Sequence, residues 1–216
     1  MKRMNTLKTL IIFGIIINTG VELDAREFRV GFYAGSVYTN ARVINKPEAY
    51  IGSQVFYPMY SFNVNGHFEY RFSENWGISA EPGFIRKGGI VRFGHNHYMS
   101  PITLALNYIQ VPLLTNFHIS EKFCVSIGPE FAFLINKEDN LPEAATGFSN
   151  FYDNALEISG VAGFTYGVSR KIDLGLRYGH GLTYNSLLIW TDLMGPPIGQ
   201  SKVFNQYIQF IIRYNI

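Results

Sequence analysis

From residue 26 onward the chain alternates between apolar and polar positions with a period of two, which predicts β-strands with two unlike faces. The clearest stretch runs from Tyr60 to Phe72. Tyr60, Phe62, Val64, Gly66, Phe68, Tyr70 and Phe72 share one face, and Ser61, Asn63, Asn65, His67, Glu69 and Arg71 share the other. The C-terminal segment repeats this, with Ile208, Phe210, Ile212, Tyr214 and Ile216 opposed to Gln209, Ile211, Arg213 and Asn215. Six further segments, 28–37, 76–87, 108–119, 123–134, 156–168 and 172–180, carry the same pattern less cleanly. No sustained 3.6-residue periodicity competes with it.

The connections between these eight strands also alternate. Three are tight: Ser73-Glu74-Asn75, Ser120-Glu121-Lys122 and Ser169-Arg170-Lys171. Four are long, spanning 39–59, 88–106, 136–155 and 181–205. Short turns at one end and long loops at the other predict an all-β, eight-stranded antiparallel up-and-down transmembrane β-barrel, with the turns periplasmic and the loops outside the cell.

Charge decides between a barrel in water and a barrel in lipid. With one face of each strand taken as outward, about 42 positions carry no charge, whereas a chain that is 16% charged would place about seven there. The opposite face holds Arg29, Arg71, Lys87, Arg177 and Arg213 with Glu69, Glu81, Glu130, Glu157 and Asp173. A soluble, lipocalin-like binding barrel would reverse this, filling its interior with apolar side chains. Phe28, Tyr70, Phe72, Trp76, Phe117, Phe123, Tyr166 and Tyr214 near strand ends suit interfacial girdles. Pro82, Pro112 and Pro129 fall inside the expected strands, where the missing N–H predicts bulges or shifts of register.

The first 25 residues read differently. Lys2, Arg3 and Lys8 precede the apolar run Leu10–Ile17, which is too short to span a bilayer as a helix. This predicts a cleaved signal peptide over 1–25, ending at Ala25 with Gly20 as the fallback, and a barrel domain over 26–216. The full chain has 18 basic and 16 acidic residues; losing Lys2, Arg3, Lys8, Glu22 and Asp24 leaves 15 against 14. That near-neutral balance argues against nucleic acid as a partner. Cys124 alone cannot form an intramolecular disulfide.

Several segments resemble the PorT-type outer-membrane β-barrel family of the Bacteroidota. They are Leu106-Asn107-Tyr108-Ile109-Gln110-Val111-Pro112-Leu113-Leu114, Gly128-Pro129-Glu130-Phe131, Glu81-Pro82-Gly83-Phe84 with Arg86-Lys87-Gly88, and Leu174-Gly175-Leu176-Arg177-Tyr178-Gly179-His180-Gly181-Leu182. The resemblance implies an eight-stranded barrel in the outer membrane of a Gram-negative envelope and little about activity. The chain ends Tyr214-x-Ile216 where barrel proteins often end Tyr-x-Phe, which implies weakened recognition by the insertion machinery.

Eight strands leave an interior just wide enough for side chains to fill it. The five basic and five acidic inward residues therefore predict a plugged lumen crossed by ion pairs, with no pore. Function then falls to the long loops, as adhesion, docking or a secretion accessory role. The expected partners are outer-membrane lipid and lipopolysaccharide, the barrel-insertion machinery through the last strand, and envelope or secretion proteins. The alternatives are a small pore and a lipid-modifying enzyme working from His95, His97, Ser100, His180, Tyr184 and Ser186 at the rim. No fixed-geometry motif such as Gly-x-Ser-x-Gly is present, and two neighbouring histidines make a poor metal site. No enzyme activity, cofactor or metal is expected. His67, His118 and Cys124 are expected to project into the lumen as structural groups.

Overall fold

The computed structural model describes residues 27–48, 56–91, 101–139, 154–191 and 197–216. The leader expected over 1–25 lies outside them, as do His95, His97 and Ser100. The strands are β1 (Glu27–Ile44), β2 (Phe56–Tyr57), β3 (Met59–Arg71), β4 (Trp76–Ala80), β5 (Gly83–Val91) and β6 (Ile102–His118). They continue as β7 (Phe123–Asp139), β8 (Leu156–Gly167), β9 (Ile172–Gly181), β10 (Ser186–Thr191) and β11 (Pro197–Asn215).

All pairings are antiparallel, and β1 pairs with both β3 and β11, so the sheet closes on itself. β2, β4 and β10 continue the lines of β3, β5 and β9, giving a ring of eight staves. Closure leaves no free edge, which is what backbone surrounded by hydrocarbon requires. The tight turns are built alike. The hydroxyls of Ser73, Ser120 and Ser169 each accept a hydrogen bond from the backbone N–H three residues on, at Trp76, Phe123 and Ile172, over 3.0–3.1 Å.

The faces are as the period-two pattern places them. Phe62 and Phe210 are 49% and 48% exposed on the outside, while Glu130 and Arg213 are 1% and 7% exposed within. Aromatic pairs mark the two borders of the outer apolar belt. Phe32–Tyr214, Trp76–Phe117 and Phe123–Phe164 lie toward the turns, and Tyr38–Tyr60 and Phe62–Phe84 toward the loops.

Three features depart from the sequence expectation. The strands run on beyond the belt, through 39–44, 88–91, 102–107, 135–139 and 197–207, so the long connections are shorter than expected. Pro82 does interrupt its stave, between β4 and β5, where its carbonyl accepts the Gly66 N–H. Pro112 and Pro129 do not shift the β6–β7 register; the shift falls at Asn107/Tyr108. That ladder has no rungs between Pro112↔Glu130 and Thr115↔Ile127, so the missing N–H of Pro129 leaves no unsatisfied partner there.

The outer face is also not free of charge. Arg86 stands outward on β5, next to inward Lys87, and pairs with Glu138 at 2.6 Å. Two consecutive charges on a strand cannot both point inward.

Candidate functional site

The lumen is filled in layers. At the turn end an open cavity of about 810 Å³ is lined by Glu27, Arg29, Arg71, Lys122, Arg170 and Asp173, among others. Three of the ten expected lumen charges stand here. Arg29 and Arg71 share Glu27 at 3.0 and 3.4 Å, and Asp173 accepts from Asn215 at 2.9 Å and lies 3.8 Å from Arg213. Arg29 is half-exposed, belonging to the mouth and not to the filled interior.

Above the mouth the remaining acids and bases interlock. Glu69 accepts from Asn116 at 2.9 Å and sits 2.7 Å from His118 Nε2. Cys124 is a buried free thiol, 3.9 Å from that same nitrogen. One step higher, Glu81 is gripped by both terminal nitrogens of Arg177 and accepts from the Tyr33 hydroxyl at 2.9 Å. His67 links the two layers, with Nδ1 2.8 Å from Glu81 and Nε2 3.1 Å from Arg213. Arginine only donates, so Nε2 accepts and Nδ1–H donates to Glu81.

Nearer the loops, fully buried Lys87 donates to Glu130 at 2.7 Å and to Glu157 at 2.9 Å. Tyr207 donates to the other Glu130 oxygen, and Asn205 to Glu157 at 2.6 Å. The Lys87 ammonium also lies over the Tyr108 and Tyr207 rings, 5.3 and 4.9 Å from their centroids. A Cβ at Gly179 would collide with the Tyr207 ring, so glycine there lets the ring lie across the lumen. Above this layer the interior turns apolar, with Ala41, Phe56, Val91, Ile102, Leu104 and Val203 packed together.

The structure thus brings Glu69, Glu81, Lys87, Glu130, Glu157, Arg177 and Arg213 into the buried interior and leaves Arg29, Arg71 and Asp173 at the mouth. Tyr33 and Tyr207 were missed. Both lie in phase with inward arginines on their own strands, Arg29 and Arg213, which was the available signal.

The rim residues do not assemble. His180 is on the outward register of β9, while Ser186 is buried inward and donates to Asn185 at 3.1 Å. Tyr184 lies beside Lys202, 5.3 Å from ring centroid to ammonium. Among the described residues no group of three His, Cys, Asp or Glu side chains could hold a metal.

Among solved structures the chain is similar to Ail, the attachment invasion locus protein of Yersinia pestis, at 12% identity and a TM-score of 0.45, over 88% of this chain and 99% of that one. It is similar to Neisserial surface protein A at 12% identity and 0.44, with the same coverage. OprG of Pseudomonas aeruginosa matches at 11% and 0.45, over 88% and 94%. No curated protein matches. The family model described as outer membrane protein beta-barrel domain matches residues 18–186, most of the chain. With the closed sheet and its apolar exterior, this assigns the location: the chain belongs to the outer membrane protein beta-barrel domain family and resides in the outer membrane.

Proposed function

We propose that the protein is a non-conducting outer-membrane scaffold that presents its loop end for adhesion, docking or secretion-accessory contacts, and that it acts as neither pore nor enzyme. In this reading residues 1–25 direct export and are removed, and the strand ending in Tyr214 and Ile216 is read by the insertion machinery. The finer kinship we infer is with the PorT-like barrels of the Bacteroidota.

The observation that carries the reading is the stopper in the upper lumen. Lys87 lies between Glu130 and Glu157, beneath the apolar layer of Phe56, Ile102 and Leu104. A permeating ion would have to part a buried, mutually compensating charge cluster and then enter a dry one. Uncompensated charge in such a place costs several kcal/mol, on the order of 3–5. The ten charges act here as structural filling.

Planar-bilayer recording of the refolded barrel tests this. No discrete conductance is expected for the wild type. Stable steps would overturn the sealed-lumen reading. A deletion strain, assayed for adhesion, secretion and envelope integrity, then separates a docking role from simple occupancy of the membrane: a defect confined to adhesion or secretion supports docking.

A further inference from the structure

On the outward face, where β9, β11 and β1 rise out of the apolar belt, three polar side chains form a connected set. Arg42 reaches from β1 across β11, its guanidinium 5.4 Å from the Phe204 ring centroid, and comes within 3.1 Å of His180 Nε2 on β9. His180 Nδ1 lies 2.8 Å from the Tyr178 hydroxyl. Because Arg42 can only donate, His180 accepts at Nε2 and donates from Nδ1, which leaves the Tyr178 O–H free to donate outward. Lys202 projects from the same face of β11, on the diagonal from Arg42 (Arg42 pairs with Phe204, Ile44 with Lys202), a spacing of about 7–8 Å in an antiparallel ladder. Among the described residues no carboxylate lies within 4.0 Å of Arg42 or Lys202, whereas Arg86, outward on the other side of the barrel, has Glu138.

Directly toward the turns from this cluster, the apolar surface is indented by a groove of about 410 Å³, lined by Ala162, Phe164, Leu176, Tyr178 and Ile208 among others. It exists because β8 presents Gly160 and Ala162 outward between the larger Ile158 and Phe164. Tyr178 belongs to both features: its ring walls the groove and its hydroxyl ends the polar chain.

We propose that this face binds a phosphorylated glycolipid of the outer leaflet, its phosphate held by Arg42, Lys202 and the Tyr178 hydroxyl and one acyl chain lying in the groove. Two cations without carboxylate partners, at the height where the belt gives way to polar side chains, match a phosphate in charge, and a guanidinium matches it in shape. The groove faces hydrocarbon and is almost wholly apolar, which fits an acyl chain. The proposal does not depend on what the loops bind.

The test uses the full-length barrel in phosphatidylcholine nanodiscs doped with diphosphoryl lipid A or with its dephosphorylated form, reading the glycolipid retained by native mass spectrometry. Folding of each variant is checked by heat-modifiable migration. Retention of the phosphorylated form is expected to exceed that of the dephosphorylated form about tenfold, and the double variant Arg42→Gln/Lys202→Gln to abolish the preference. Ala162→Phe, which fills the groove, is expected to lower retention of both forms, and Arg86→Gln to change neither. Equal retention of the two forms in the wild type, or an equal loss in Arg86→Gln, would overturn the site. Displacement of the glycolipid by millimolar inorganic phosphate would overturn the lipid assignment in favour of a free-anion site.

Discussion

Within β11 two kinds of wall follow one another. From Tyr214 to Ile208 the outward residues are Tyr214, Ile212, Phe210 and Ile208, and the inward ones include Arg213 and Gln209. From Gln206 to Gln200 the outward residues include Gln206, Lys202 and Gln200, while Val203 points in and joins the apolar cluster with Phe56 and Ile102. β1 makes the same exchange between Tyr38 and Asn40, with Ala41 and Val43 inward above that point. The same closed sheet is therefore inside-out within the lipid and ordinary above it. What changes along the strand is the solvent against its outer face, and the outer residues follow that solvent. The interior then sorts itself, ion pairs in the span and apolar packing in the collar.

The largest effect should come from breaking the charge cluster of the span. Lys87→Met leaves Glu130 and Glu157 facing each other in a closed interior, and is expected to destabilise the barrel by about 3–5 kcal/mol. Lys87→Met/Glu130→Gln/Glu157→Gln should recover most of it. Urea titrations of folded and unfolded bands by gel migration would read both.

The collar should answer to cavity physics instead. Phe56→Ala is expected to cost about 3 kcal/mol. The loss should concentrate at the loop end, so hydrogen exchange should accelerate at β2 and the upper part of β5 while the belt stays protected. Exchange quickening uniformly around the barrel would mean that the two regions are one cooperative unit.

Charge on the outer face sharpens the boundary itself. Phe210→Arg, at mid-belt, should cost about 2–4 kcal/mol, and Gln206→Arg, two outward positions higher, about 0–1 kcal/mol. Equal costs would erase the distinction between the regions. The smallest effect is expected from Gly179→Ala. Displacing the Tyr207 ring from its seat, and its hydroxyl from Glu130, is worth about 1–3 kcal/mol as overpacking.

The span was legible in the sequence because its faces differ: Tyr60–Phe72 separates aromatic from polar side chains almost without exception. The collar was not, for the reason just described. Along 197–207, Phe204 stands among outward polar residues and Ser201 and Asn205 among inward ones, so neither face is pure and the period of two dissolves. Arg86 could have been assigned outward from its neighbour Lys87, since alternation forces one of the two out. That Lys87 meets Glu130 and Glu157, 43 and 70 residues away, could not be read, because those distances depend on how the ring closes. The same holds for Arg42 and His180, which lie on strands separated by β11.

The exchange of faces along one strand can be measured directly with nitroxide labels placed in a Cys124→Ser background at Phe210 and at Lys202, both outward and eight residues apart on β11. In lipid vesicles the label at 210 should be relaxed by oxygen and shielded from a water-soluble nickel chelate, and the label at 202 should show the reverse. If both labels respond alike, or if 210 is the one reached by the chelate, then the lipid does not end where the polar residues begin and the account of the two walls is wrong.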